Sequence, residues 1–335
     1  MAQKILLTGG AGYIGSHTYI ALIEAGYNVV IIDDFSNSKR DVIERLENIS
    51  GTPVTFYEGS VLDEELLNKI FEKEKIDAVI HFAARKAVGE STEIPLDYFT
   101  TNIGGLLTVL NVMRAHGTHR LVFSSSATVY GEPDIAPTPE TADRRYENPY
   151  GYTKISGEQI LEQLSAADEC WNFGILRYFN PAGAHPSALI GEDPDGIPNN
   201  LMPYIAKVAT GELDRLGVFG DDYATPDGTG VRDYIHVCDL ATAHVLSLQA
   251  LFTQGKGHLT NIGTGVGYSV LEMLRAYSAA VGRDLPHQIL PRRAGDVPIY
   301  LAKADRAKSI LGFEARYSLD DMCTTSWAWI EHSQK

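Results

Sequence analysis

Short apolar runs alternate with amphipathic stretches along most of the chain, and this alternation sets the expected fold. The runs are Lys4-Ile5-Leu6-Leu7-Thr8, Val29-Val30-Ile31-Ile32-Asp33, Val54-Thr55-Phe56-Tyr57, Ala78-Val79-Ile80-His81-Phe82, Leu121-Val122-Phe123, Phe173-Gly174-Ile175-Leu176-Arg177 and His258-Leu259-Thr260-Asn261-Ile262. Their brevity and nearly continuous apolar character predict strands buried on both faces. Between them, helical spacing covers a stretch ending near Ala25, then Asp63 to Lys73, Leu96 to Arg114 with Gly104-Gly105 inside it, Pro149 to about Ala166, and Asp239 to Phe252. Regular strand–helix alternation predicts an α/β protein with a doubly wound parallel sheet of Rossmann type. The segment Glu132 to Asn148, with its prolines and no periodicity, reads as a surface loop.

After Tyr178 the texture changes. Asn180 to Asn200 is rich in Pro, Gly, Asn and Asp, and so long an irregular stretch is functional or disordered. Asp227-Gly228-Thr229-Gly230 forms a turn cluster leading into Val231-Arg232-Asp233-Tyr234-Ile235, and Pro291 to Tyr300 is irregular and carries arginines. Ser269 opens a helix that Gly282 ends, and further helices are expected over Asp305 to Leu311 and Leu319 to Glu331.

The first strand runs into Gly9-Gly10-Ala11-Gly12-Tyr13-Ile14-Gly15. Glycines there permit a tight turn, a close approach to a pyrophosphate and close helix packing, and the helix N-terminus favours an anion. Asp33, at the end of the second strand, stands where a carboxylate accepts hydrogen bonds from an adenosine ribose. The neighbouring Asp34 disfavours a 2′-phosphate, so NAD is expected over NADP. Residues 1–180, with return segments near 237–265, are expected to form the NAD-binding domain. Residues 181–335 are expected to form a smaller, loop-rich domain whose Arg232, Arg292 and Arg293 suit a phosphorylated ligand.

A second chemical signal is Ser124-Ser125-Ser126 at the carboxyl end of an apolar strand, where ligands bind in such sheets. It is followed by Tyr150 and Lys154, one helical turn apart if Pro149 begins a helix. A cation about 5 Å from a phenol, at an effective dielectric of about 20, contributes roughly 3 kcal/mol, or about 2 pK units. That shift is expected to bring Tyr150 towards neutrality, where it can take a proton from an alcohol.

The net charge of −15 argues against nucleic acid or an anionic membrane surface as partner. Any anionic ligand must therefore be held locally. Three cysteines, Cys170, Cys238 and Cys323, match neither a disulfide framework nor a metal site, and suit a reducing cytoplasm. The start, Met-Ala-Gln-Lys, carries no secretory signal features, and no apolar run approaches the roughly 20 residues of a membrane span. No His/Cys/Asp cluster has metal-ligand spacing, so no metal is expected.

Together these motifs resemble the extended short-chain dehydrogenase/reductase family and, within it, the UDP-galactose/UDP-glucose 4-epimerases. Further carriers are Lys86-Ala87-Val88-Gly89-Glu90-Ser91, Arg177-Tyr178-Phe179-Asn180-Pro181, Gly183-Ala184-His185-Pro186-Ser187, Gly191-Glu192-Asp193-Pro194, Ile197 to Tyr204, Asp227 to Val237 and Pro291 to Asp296. The resemblance implies transient oxidation at sugar C4 by NAD, rotation of the 4-keto sugar and hydride return. Tyr150 is implied as the base, Ser126 as its proton-relay partner, and Lys154 as the residue holding the nicotinamide ribose. Implied cofactor contacts are Gly9, Gly12, Tyr13, Ile14, Gly15, Asp33, Asn37, Ser38, Ser60, Val61, Phe82, Ala83, Lys86, Ser124, Tyr150, Lys154 and Tyr178. Implied substrate contacts, besides Ser126 and Tyr150, are Asn180, Asn200, Leu201, Arg232 and Arg293 on the diphosphate, Asp296 on the uridine ribose, and Tyr300 as a gatekeeper excluding N-acetyl groups. A homodimer through the helices near Leu96–Arg114 and Tyr150–Ala166 is implied as well.

The chain departs from the family pattern at Ser60, where Asp is common, and at Thr101, Gly104 and Arg85. These changes bear on local NAD contacts. A sister 4,6-dehydratase would need Asp-Glu after the Ser126 position, and this chain has Ala127-Thr128. A non-catalytic NAD sensor would be expected to lack the Tyr150/Lys154 pair.

Overall fold

The computed structural model describes residues 2–193, 198, 200–293 and 296–334. Its first half alternates strands and helices: β1 (Lys4–Thr8), α1 (Tyr13–Glu24), β2 (Asn28–Asp33), α2 (Asp41–Ser50), β3 (Thr55–Glu58), α3 (Glu64–Glu74) and β4 (Ala78–His81). Helices α4 (Val88–Glu93), α5 (Pro95–Tyr98) and α6 (Gly105–Ala115) precede β5 (Arg120–Ser126). Then come α7 (Pro149–Ala167) and β6 (Asn172–Tyr178).

The sheet order is β10-β6-β5-β4-β1-β2-β3, with every neighbouring pair parallel, where β10 is His258–Ile262. Both faces of this seven-stranded sheet are covered. Ile5, Leu7, Ile31 and Ile80 face a core that includes Tyr19 and Leu22 of α1 and Leu240 and Leu248 of a later helix. Leu6, Val30, Val79 and Leu121 face the opposite core, with Leu67, Leu110 and Leu161. Alternate residues of each strand thus feed opposite cores, and the runs are apolar throughout for that reason. The order reverses between β1 and β4, and the crevice above such a switch point is where ligands bind.

The second half adds β7 (Asn180–Ala182), α8 (Leu201–Thr210), β8 (Leu216–Phe219), β9 (Val231–His236), α9 (Val237–Gln254), β11 (Gly267–Ser269), α10 (Val270–Val281), β12 (His287–Leu290), β13 (Ile299–Tyr300), α11 (Asp305–Leu311) and α12 (Leu319–Ser333). Strands β7, β9, β11 and β13 make a small mixed sheet, and β8 pairs with β12. A third core joins α8, α10 and α12 through Ile205, Met273, Tyr277 and Cys323. Capping boxes start α10 at Ser269 and α12 at Ser318.

The structure departs from the sequence reading at several elements, three of which bear on the site. Helix α2 was passed over, although Val42, Leu46 and Ile49 recur at helical spacing. The expected single helix over Leu96–Arg114 is α5 and α6 joined by a π-helical stretch, Phe99–Gly104, and α4 precedes them in a stretch for which the sequence reading gives no element. Such stretches accompany functional positions. Here Asn102 turns inward, accepting from Arg85 N at 2.8 Å and donating to the Arg85 carbonyl at 3.0 Å and to Thr153 Oγ1 at 3.0 Å. Finally, β7 lies within the stretch read as irregular, because β9 offers it a parallel partner far away in sequence.

Candidate active site

The glycine turn after β1 is shaped by close backbone approach. Gly9 has φ +69°, and a Cβ there would stand 2.8 Å from Ala83 N, at the end of β4. A Cβ on Gly15 would stand 2.4 Å from the Gly9 carbonyl oxygen. Only glycine fits either position. Helix α1 starts at Tyr13 with no side-chain cap, so its first N–H groups are left for a ligand. Ile14, the next residue, packs into the core below.

A groove runs over this turn, lined by Gly12, Tyr13, Asn37, Ser38, Lys39 and Lys86, with Ile190, Glu192, Asp193 and Trp329 from the second half. Asp33 organises its floor. Its carboxylate accepts from Ala11 N and Phe35 N, both at 2.9 Å, and from Ser38 Oγ at 2.8 Å. Burial raises its pKa while these three hydrogen bonds oppose the rise. Across the groove, Lys86 lies 3.7 Å from Glu192, and Glu192 accepts from Asn200 Nδ2 at 2.8 Å. Lys39 reaches Asp193 at 2.5 Å, and Tyr13 Oη donates to the Gly183 carbonyl at 2.6 Å. Ser60 accepts from Leu62 N at 3.3 Å, and buried Val61 packs against Gly105, at the edge of the same sheet end.

The residues expected to do chemistry meet at the carboxyl end of β5. Asn148 caps α7, accepting from Gly151 N at 2.9 Å, and Pro149 opens the helix. This places Tyr150 and Lys154 one turn apart facing the sheet. Lys154 is 4 % exposed, and its Nζ donates to the Ser124 carbonyl at 2.6 Å and stands 5.8 Å from the centre of the Tyr150 ring. Ser126 neighbours the Tyr150 phenol, and Ser126 Oγ accepts from Thr128 N at 3.2 Å.

The electrostatics correct one expectation. Burial pushes the Tyr150 phenol up to about 12, with the Ser126 hydrogen bond pulling the other way. Burial likewise brings the Lys154 ammonium down to about 8, against the opposing pull of Glu158. The phenol is therefore not brought towards neutrality by the lysine in this site. Desolvation is the dominant effect on the phenol, and Ser126 is the group that opposes it.

Tyr178, at the end of β6, gives its hydroxyl to a hydrogen bond with His244 of α9, and the His244 ring packs 4.8 Å from Phe82. His244 was missed by the sequence reading. It sits inside an otherwise apolar helical run, and no local signal distinguishes it from a solvent-facing histidine. Burial holds it neutral, with a pKa of about 4.

The substrate-side expectations fall in one region but do not all converge. Asn180 Nδ2 donates to the Asp233 carbonyl at 2.9 Å, and Leu201 starts α8 against the third core. Tyr300 donates to the Ala127 carbonyl and packs on Phe179 with ring centres 5.5 Å apart. This aromatic wall is thereby anchored beside Ser126. Arg232 and Asp296, expected on different parts of one ligand, pair with each other. Arg293 stacks 3.9 Å over the Phe219 ring, and Arg292 pairs with Asp222 at 2.6 Å. Each of these charged groups is thus already satisfied within the protein. Of the quoted motif residues, Pro194, Ile197, Asn199, Ala294 and Gly295 lie outside the described residues. Among the described residues no helix is long and apolar enough to cross a membrane. Also among them, no group of three or more His, Cys, Asp or Glu side chains could hold a metal ion.

Comparison with known proteins gives this geometry a lineage. The family described as "NAD dependent epimerase/dehydratase family" matches residues 5–263. The chain is 51% identical to the UDP-glucose 4-epimerase of Bacillus subtilis, over 98% of this chain and 96% of that protein. Its fold superposes with a TM-score of 0.98 on the UDP-glucose 4-epimerase of Stenotrophomonas maltophila, solved with NAD and formylated UDP-arabinopyranose, at 50% identity and 99% coverage of both chains. The enzyme of Bifidobacterium longum, solved with NAD+ and UDP, gives 0.93 at 48% identity and 99% coverage of both. The chain belongs to the NAD dependent epimerase/dehydratase family.

Proposed function

We propose that this chain is an NAD-dependent isomerase that interconverts UDP-galactose and UDP-glucose by inversion at sugar C4, a step of galactose metabolism. The observation that carries the reading is the meeting of Ser126, Tyr150 and a buried Lys154 at the carboxyl end of the sheet, with Lys154 Nζ on the Ser124 carbonyl and 5.8 Å from the Tyr150 ring centre. When bound, NAD supplies a reversible hydride acceptor and a positive charge that favours the phenolate. Residues suited to hold it are Gly9, Gly12, Tyr13, Asp33, Asn37, Ser38, Lys86 and Lys154, and the uncapped helix N-terminus fits a pyrophosphate.

In this reading Tyr150 Oη accepts the proton of the sugar hydroxyl and the neighbouring Ser126 Oγ helps to pass it on. Lys154 keeps its ammonium fixed by the Ser124 carbonyl, so the cation is pre-placed. Arg232 and Arg293 exchange their present partners for the diphosphate, and Asp296 turns to the ribose. Ala127 and Thr128 offer no acid or base for elimination, so the product keeps its C6 hydroxyl. Residues 1–180, with 237–265, form the cofactor domain, and 181–335 hold the nucleotide sugar.

The chain is proposed to act in the cytoplasm as a homodimer. Exposed Leu96, Leu107 and Tyr152, with a groove on α7 between Ser156 and Leu164, offer an apolar face for pairing. Light scattering that reads a monomer at micromolar concentration would refute the dimer. The test of function is incubation with UDP-galactose and, separately, UDP-N-acetylgalactosamine, with products read by NMR. Conversion of the first alone is expected. An NAD-loaded protein that leaves UDP-galactose unchanged sinks the reading.

A further inference from the structure

Behind the catalytic strand end lies a buried polar cluster that the proton path above does not use. Glu158 is 0 % exposed and Arg177 2 %. Arg177 donates to Glu158 through Nε at 2.8 Å and through Nη2 at 2.6 Å, a forked pair. Ser125 Oγ donates to the same carboxylate at 2.5 Å. The second guanidinium nitrogen, Nη1, donates to Tyr130 Oη at 2.8 Å and to the Glu140 carbonyl at 3.1 Å, and Tyr130 in turn donates to Asn261 at 2.6 Å. One cluster thus joins β5, the turn after it, α7, β6 and β10.

Burying two charges is costly, and an apolar pair of similar size often stabilises a fold as well. What the cluster contributes is better read from its neighbours. Ser125 lies between Ser124, whose carbonyl accepts from Lys154, and Ser126, the neighbour of Tyr150. Glu158 follows Lys154 by one turn on the same helix face. Along β5, Phe123 packs on Gly157 and Ser125 bonds Glu158, so both face α7. A slip between Ser125 and Glu158 would displace the acceptor of Lys154 and the partner of Tyr150 together.

We infer that the Ser125–Glu158 hydrogen bond, braced by Arg177, sets the register of the Ser124–Ser126 strand end against α7, making Ser125 and Glu158 positioning residues for Tyr150, Ser126 and Lys154. The inference rests on the epimerase reading. Misplacement of reacting groups by about 1 Å costs as much as about 100-fold in rate, so the expected effect lies in kcat.

Two variants of the full-length, NAD-loaded protein separate positioning from mere stability. Ser125→Ala leaves the ion pair intact. It should keep Tm within about 3 °C, KM for UDP-galactose within about 2-fold and NAD content unchanged, while kcat falls by roughly 10-fold. Glu158→Gln keeps a carbonyl for Ser125 but loses the forked charge pair. It should lower Tm by about 5 °C or more, yet lose less kcat than Ser125→Ala. A merely structural role predicts the reverse, with kcat following Tm across both variants, and that result overturns the inference. Wild-type kcat in Ser125→Ala overturns it too. A wild-type protein that does not epimerise UDP-galactose overturns the functional reading, and this positioning role with it.

Discussion

The two walls of the cleft solve opposite problems. On the wall proposed to hold the cofactor, polar groups are already held by partners that need not leave. Asp33 is bonded to the glycine turn and to its own loop, Lys154 to a backbone carbonyl, and Ser126 to the Thr128 amide. On the substrate wall the charged groups hold each other, as Arg232 with Asp296, or stack on an aromatic ring, as Arg293 on Phe219. The first wall is preorganised and favours rate. The second must exchange partners, so part of each ligand contact is offset by a lost internal one. Changes on the first wall should therefore appear in kcat and changes on the second in KM.

The largest effect is expected from Tyr150→Phe. Removing the proton acceptor while keeping the ring should lower kcat by about 10³-fold with KM nearly unchanged, read by an assay of UDP-glucose formation. A matching loss in KM would mean that the phenol is a binding group. Next, Arg232→Met should raise KM by roughly 30-fold and leave kcat within about 3-fold. Asp296→Asn should raise it less, because it frees Arg232 from its internal partner while weakening the proposed ribose contact.

The pH profile probes the cofactor wall again. Lys154 has a pKa of about 8, so it is cationic below that pH and loses its charge as pH rises through it. The kcat/KM of wild type should fall by about 10-fold per pH unit above that point. An arginine at this position stays charged, so Lys154→Arg should lower activity overall and abolish that alkaline limb. An unchanged limb assigns it to another group. The smallest effect is expected at Tyr300, whose hydroxyl is tied to the Ala127 carbonyl. Tyr300→Ser should cost UDP-galactose turnover only about 3-fold and should admit UDP-N-acetylgalactosamine, with both rates read by NMR. Continued exclusion of the larger sugar would place the size limit elsewhere.

Much of the parallel sheet was legible because its strands are buried on both faces, which leaves unbroken apolar runs. Likewise the glycine turn, the acidic end of β2 and the Tyr150/Lys154 spacing follow from local backbone geometry. The short strands β7, β8 and β12 were not legible, since each exists by pairing with a distant segment. Glu158 and Arg177 look like ordinary helix-surface and strand-end charges in the chain, and only folding makes them a buried pair. His244 was equally silent.

Local regularities, the hydrophobic period, the glycine positions and the helix start at Pro149, are written in neighbouring residues and need no folded context. They establish the fold class and bring the phenol and ammonium to one helix face. The protonation balance of that pair is a different kind of quantity. A cation one turn away lowers a phenol's pKa in water-like surroundings, but the packed site removes the water that would solvate the phenolate. Burial therefore raises Tyr150 to about 12 and lowers Lys154 to about 8. Desolvation depends on every segment that closes over a group, and so it is settled only when the tertiary structure forms.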